Sequence, residues 1–420
     1  MLFELIYGYG TPFLFLLAGL YLTLCTGFIQ LRRFPAAIRT VFHTESGDGL
    51  SPGKTLLLSL GAVMGPGNLI GVAAAVAYGG SGTVFWMWLS GWVGMALRYA
   101  ETTLSLRAAR DRAHANGMMD VMTGFLHFPG LALFFAGCGI LVSLLMANLT
   151  SAGVLAHSTA SATSFSPAFV MAFLSLLTFL VLWGGVKRLC AFSPWLVLGI
   201  TLAYLGIALF ILLSAPDEAF SALKEILSSA LDFRPAAIGT TLGAFRHGIA
   251  KGIYSNECGI GSEPAIAGAS SVESPQKQGE VSMLGPFLDT TVFCALSGIL
   301  CVMSGEKDPT RMLPVLFDRF CPGFGSVFIY GILALLVFAT ILCWYFGGEV
   351  FWRYLTGGRW ILVYRSVYCI LPLLAPLISL ELLYNLCDLS VALMAFPSLA
   401  AILLASPKIK DGADGTHRPR

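Results

Sequence analysis

The sequence predicts an all-α membrane protein of about 11 transmembrane helices, and three observations carry that prediction. Of its 420 residues, 56% are apolar and 11% charged, against roughly 25% charged in a soluble domain. The charges are also clustered. No Asp, Glu, Lys or Arg lies between Lys54 and Arg98, between Asp120 and Lys187, or between Arg319 and Glu349. A spanning helix needs about 20 largely apolar residues, so each gap holds one to three spans. The third observation is that Lys and Arg collect on alternate loops, the bias that orients spans in a bilayer.

The apolar windows, bounded by charges or Pro/Gly breaks, run over 11–30, 55–78, 82–106, 131–157, 167–185, 191–214, 239–262, 279–303, 324–347, 360–380 and 383–404. The first lacks a preceding basic region and a following small-residue cleavage site, so it reads as a retained span rather than a signal peptide. Loop 31–54 carries Arg32, Arg33, Arg39 and Lys54 and is placed in the cytoplasm. Alternating from there puts 16 basic residues inside and 5 outside. The N-terminus is then outside and the C-terminus cytoplasmic, in the cell (plasma or inner) membrane.

Segment 215–238 carries six charges with Phe220, Leu223, Ile226, Leu227 and Leu231 at helical spacing, predicting a short amphipathic surface helix. The chain thus divides into a leading helix with its loop (1–54), a first five-helix repeat (55–214), this connector (215–238), a second five-helix repeat (239–404) and a tail (405–420). The 10 cysteines are scattered without a CxxC pair and read as free thiols, mostly buried.

Two spans interrupt their own pattern. The second reads Gly61-Ala-Val-Met64-Gly65-Pro66-Gly67-Asn68-Leu-Ile-Gly71. Proline removes a backbone donor, and flanking glycines make extended or left-handed backbone accessible. The seventh runs from Gly248 through Lys251-Gly252-Ile-Tyr254-Ser255-Asn256-Glu257-Cys258-Gly259-Ile-Gly261-Ser262. Unpaired backbone costs several kcal/mol per group in a bilayer and is tolerated where a cavity or ligand satisfies it. A packing kink is the plain alternative for either segment alone. With the first span set aside, the breaks open two five-span halves. An odd number of spans per half makes the halves inverted, and paired breaks in inverted repeats point to a transporter's binding site.

These residues resemble the alanine or glycine:cation symporters. That family's first break reads like GTGNIAGVA, matched by Gly65 to Ala73, followed by Gly79-Gly80-Ser81-Gly82-Thr-Val-Phe85-Trp86-Met87-Trp88 and Gly94 to Glu101. Its longest motif, like RYGVARGLFSNEAGLGSAP, is matched from Phe245 to Pro264, and a QGxVxMLGxFxDT-like run from Gln278 to Thr290. Gly27–Pro35, Trp344 with Gly348-Glu349, and Leu386-Cys387-Asp388 with Leu393-Met394-Ala395 extend the match over nearly the whole chain. The resemblance implies a LeuT-type 5+5 inverted repeat behind one extra helix. It also implies symport of small neutral amino acids such as alanine or glycine, coupled to Na⁺ or H⁺ by alternating access.

The implied site follows. Gly65, Gly67 and Asn68 offer amides to a substrate carboxylate at the start of the outer half-helix. Ser151 stands where a glutamine is expected near substrate, and Gly252, Tyr254 and Asn256 come from the second break. The carbonyls of Gly61, Met64 and Ala339 and the Thr340 hydroxyl are the implied sodium ligands. Ala339 replaces a threonine, Pro66 replaces the threonine of GTGN, and Val391 an asparagine. Asp289, the only charge between Glu280 and Glu306, either supports a cation site, directly or through Asn68, or tethers a neighbouring break. Glu257, Lys251 and Arg246 share one span, where pairing with one another or with backbone is expected ahead of ligand contact. Arg98 and Glu101 predict a salt bridge with snorkelling ends near the inner face.

No cofactor is called for beyond possible Na⁺. The partners are the small-molecule substrate, the cation and the lipid bilayer, with no nucleic acid, since no basic patch interleaves with aromatics. An enzyme would need convergent nucleophile, base or metal ligands, and the six histidines form no HExxH spacing. A proton-coupled or uncoupled carrier of another solute, a channel and a membrane sensor are the alternatives.

Overall fold

The computed structural model describes residues 10–42, 49–109, 115–162, 165–232, 238–272 and 274–409. Among them the backbone is helical, with one extended contact, a bridge between Leu50 and Ser270. In chain order the principal helices are α1 (Thr11–Cys25), α2 (Pro52–Val63), α3 (Ile70–Gly79), α4 (Thr83–Ala108), α5 (Pro129–Ala160), α6 (Pro167–Trp183) and α7 (Gly185–Ser214). They continue as α8 (Pro216–Ala230), α9 (Ile238–Asn256), α10 (Glu263–Ala267), α11 (Pro275–Ser304), α12 (Met312–Phe320), α13 (Gly325–Thr356), α14 (Ile361–Leu377) and α15 (Leu380–Ile409).

Each predicted apolar window falls mainly on helix, with non-helical stretches such as 26–28, 64–65 and 257–262. Five helices (α5, α7, α11, α13 and α15) are long and apolar enough to cross a membrane, and counting α2 and α3 as one bent span makes six. Helices α1, α6 and α14 are shorter apolar helices. Hydrophobic side chains face outward along them, as Phe169, Phe173, Leu176 and Trp183 do on α6. In water such a face would aggregate; in lipid it meets a matching solvent.

At the centre lies α13, packed on α2, α5 and α7, with Trp344 and Tyr345 buried. Helix α9 crosses α4 closely because two glycines four residues apart face it. A Cβ on Gly248 would stand 2.5 Å from the Thr83 carbonyl oxygen, and one on Gly252 1.7 Å from Ser90 Oγ. Small residues at this spacing let two backbones approach in a membrane.

The predicted connector helix exists as α8, but its buried stripe is Ala222, Ile226 and Ala230, while Phe220 and Leu227 point outward. Its Glu218 takes two hydrogen bonds from Arg319 of α12, and that guanidinium lowers the Glu218 pKa. All ten cysteines are unbridged. Cys25, Cys321 and Cys387 are half-buried rather than buried. Arg110, Arg112, Arg234 and residues 410–420, which carry part of the charge asymmetry, lie outside the described residues.

Candidate functional site

The first break forms where the sequence places it. Helix α2 ends at Val63, Gly65 is extended (φ −115°, ψ −166°), and Pro66–Asn68 makes one 3₁₀ turn before α3 begins. The two halves are bent by 71°. Gly65 supplies extended backbone here and Gly67 lies within the 3₁₀ turn, neither in the left-handed region. Asn68 holds the turn. Its Oδ1 accepts from the Gly65 N–H at 3.0 Å, while its Nδ2 donates to Asp289 Oδ1 at 2.5 Å and lies 3.3 Å from Cys294 Sγ.

The other Asp289 oxygen accepts from Ser255 Oγ and Thr290 Oγ1, both at 2.8 Å. Asp289 therefore ties the first break to α9 through hydrogen bonds, the tethering geometry. Asp289 and Cys294 sit in a π-helical stretch, Phe287–Cys294, and a second such stretch, Ser143–Thr150, brings Met146, Ala147 and Thr150 inward. Widened turns of this kind occur frequently at functional sites.

The second break is left-handed at Glu257 (φ +52°), Gly259 (φ +81°) and Gly261 (φ +90°). Only the glycines take this backbone without strain. Its free polar groups are met by α4. Arg98 Nη2 donates to the Asn256 carbonyl at 2.6 Å, and Glu101 accepts from the N–H groups of Gly259 (3.4 Å) and Gly261 (2.5 Å).

Arg98 and Glu101 form the predicted ion pair, at 3.4 Å, but they do not snorkel. They are 1% and 0% exposed, because their heads are needed at the break. Glu257 does not pair with Lys251 either. Its carboxylate accepts from Ser262 Oγ at 3.0 Å and Trp344 Nε1 at 3.1 Å.

Both breaks open on one cavity of about 140 Å³, a size suited to one small solute. Of the expected substrate residues, Gly65, Gly67, Asn68, Ser151 and Tyr254 line it. Gly252 faces Ser90 of α4 instead, and Asn256 points toward Gly94 with its Oδ1 on the Cys258 N–H at 3.1 Å. Neither residue is in the cavity wall.

Of the expected cation residues, Thr340 lines the cavity and donates to the Met64 carbonyl at 3.3 Å. Two oxygens at that separation can share one cation. Gly61, a turn earlier, faces Cys343 and Val197, and Ala339 is buried beside Thr340. Sequence reasoning assigned no role to Asp388 and turned Lys251 away from ligand, yet both line the cavity. A signal existed for Asp388. It is the only charge between Glu381 and Lys408, and an intramembrane charge is a functional candidate by default.

A multi-pass helical membrane protein with two interrupted helices meeting at a small cavity, largely apolar with a few polar and charged groups, belongs to the carrier class of transporters. Within that class the family is specific. The sequence profile of the Sodium:alanine symporter family matches residues 2–414, and the chain belongs to that family. It is similar to an uncharacterised transporter of Haemophilus influenzae, at 34% identity over 94% of this chain and 91% of the relative. It is also similar to the sodium/alanine symporter AgcS of Methanococcus maripaludis, at 32% identity over 92% and 90%. The amino-acid carrier protein AlsT of Bacillus subtilis is 30% identical over 92% and 85%.

Proposed function

We propose that the protein is a secondary active transporter that carries small neutral amino acids such as alanine or glycine in symport with Na⁺ or H⁺. The observation that carries this reading is the shared cavity, where Gly65, Gly67 and Asn68 of one break meet Tyr254 of the other. Eleven spans in a 5+5 inverted repeat behind α1, rocking about this cavity, supply alternating access. The test is uptake of labelled small amino acids into proteoliposomes under separately imposed sodium and proton gradients. Accumulation against a gradient identifies an ion-coupled carrier; passive equilibration alone identifies an uncoupled carrier or a channel, which saturation and counter-exchange separate.

The same reading fixes the topology. Single-cysteine accessibility is expected to place 31–54 and 406–420 in the cytoplasm and 215–238 outside. Both termini on one side of the membrane would remove the inverted-repeat assignment.

Sodium coordination rests on Met64 and Thr340, with one hydroxyl fewer because position 339 is alanine. Sodium dependence is therefore weaker than in a relative carrying threonine at both positions, with proton coupling or ion-independent exchange as the fallback. Ala339→Thr tightens apparent sodium affinity by ~1 kcal/mol, the value of one polar contact. Thr340→Ala removes the remaining sodium response. Uptake titrated against sodium at fixed pH and ionic strength measures both. A steep sodium response that survives Thr340→Ala moves the cation elsewhere, toward Asp289 and Asn68.

A further inference from the structure

The donors expected to receive a substrate carboxylate at the first break are largely spent. Position 66 is proline and has no N–H. The Gly65 N–H is on Asn68 Oδ1, the Asn68 N–H is on the Gly65 carbonyl at 3.1 Å, and the Leu69 N–H is on the Pro66 carbonyl at 3.3 Å. The Asn68 side-chain amide is turned to Asp289 and Cys294. Among the described residues the Gly67 N–H is the amide of this turn with no hydrogen bond.

Lys251 arrives at the same place. It leaves α9 one turn before the second break and lays its side chain over the first turn of α3. A Cβ on Gly71 would lie 2.2 Å from its Cε and 2.1 Å from its Nζ, and a Cβ on Gly67 would lie 3.8 Å from that Nζ. The ammonium therefore sits in the cavity wall beside Gly67 and Gly71, near the positive end of α3. Among the described residues it makes no hydrogen bond or ion pair, and neither does the Asp388 carboxylate, which lines the same cavity from α15.

A cation beside a helix N-terminus inside a membrane, whose opposite charge Asp388 acts on it across the cavity and not through a direct ion pair, is held at a cost that an arriving anion lowers. An unpaired carboxylate in the same cavity has the same need for a cation. A zwitterion answers both at once through charge-assisted hydrogen bonds.

We propose that Lys251, together with the Gly67 amide, receives the substrate carboxylate, and that Asp388 receives the substrate ammonium. This rests on the amino-acid reading above and adds to it. Recognition is by two side-chain charges of opposite sign, so the substrate must carry both an anion and a cation. The glycine at 71 is required because any side chain there would displace the lysine.

The test is ligand binding to the purified full-length protein in lipid nanodiscs, using alanine, alaninamide (no carboxylate) and propionate (no ammonium). The parent is expected to bind alanine at least tenfold more tightly than either analogue. In Lys251→Met the preference for alanine over alaninamide collapses, while Lys251→Arg keeps part of it. In Asp388→Asn the preference for alanine over propionate collapses.

A parent that binds alaninamide as well as alanine overturns the proposal without any variant, as does Lys251→Met with the parent's full preference. The amino-acid reading fails separately. If the parent ignores amino acids but binds propionate, and Lys251→Met loses it, the lysine assignment stands and the amino-acid reading falls. If the parent binds none of these ligands, both fall.

Discussion

Gly67→Leu abolishes substrate binding, by on the order of a hundredfold or ~2.8 kcal/mol, while the protein still folds and extracts. The structure separates the two effects. A Cβ at Gly67 meets nothing closer than Lys251 Nζ at 3.8 Å, an ordinary contact, and the backbone there is not left-handed. The leucine therefore does not strain the turn. Its remaining carbons project into a cavity of about 140 Å³ and occupy the space next to the free Gly67 amide. Binding of labelled substrate to purified protein, with thermal unfolding as the control, measures both quantities. Gly67→Ala gives a smaller loss with unfolding unchanged. Unaltered affinity in the leucine variant would show that the first break is a kink for packing and not a site.

Arg98→Met destabilises the fold, by about 3–5 kcal/mol, the usual result of removing one partner from a buried ion pair. Glu101 is left as an uncompensated charge, and the Asn256 carbonyl loses its donor at the end of α9. The double variant Arg98→Met, Glu101→Gln recovers part of the loss, because the stranded charge is gone and the glutamine oxygen still accepts from Gly261. Non-additivity of this kind, 0.5–3 kcal/mol, marks residues in one network. Thermal unfolding in detergent of the parent, both single variants and the double variant gives the cycle. An Arg98→Met protein that melts with the parent would mean that water reaches the break and carries the charge.

The sequence made the helices legible for a physical reason that holds along the chain. Runs such as 55–97 without one charge must be helical in lipid, since each backbone group has to find its partner within the segment. The two breaks were equally visible, because Pro66 and the glycines at 259 and 261 cannot continue a helix at low cost. Less was visible about which residues of each break face a ligand. Gly252 looks like part of a ligand-binding glycine run, yet it serves the crossing of α9 over α4. Asn256 looks like a ligand-binding amide, yet its Oδ1 caps its own turn and its side chain lies outside the cavity wall.

What the sequence determined by itself is therefore the local layer: an all-helical membrane chain, the amphipathic connector and the position of both interruptions. The tertiary structure decided which groups complete them. Asn68 and Asp289 are 221 residues apart, and Glu101 and Gly261 are 160 apart. Periodicity reports neighbours three or four residues away on one helix and carries no information about such pairs. Lys251 shows the difference most clearly. Along the chain its nearest opposite charge is Glu257, six residues on, whereas in space Glu257 is engaged by Ser262 and Trp344. The lysine is left facing the cavity because a buried charge settles wherever the packed helices leave it room, and here that room is the missing side chain of Gly71.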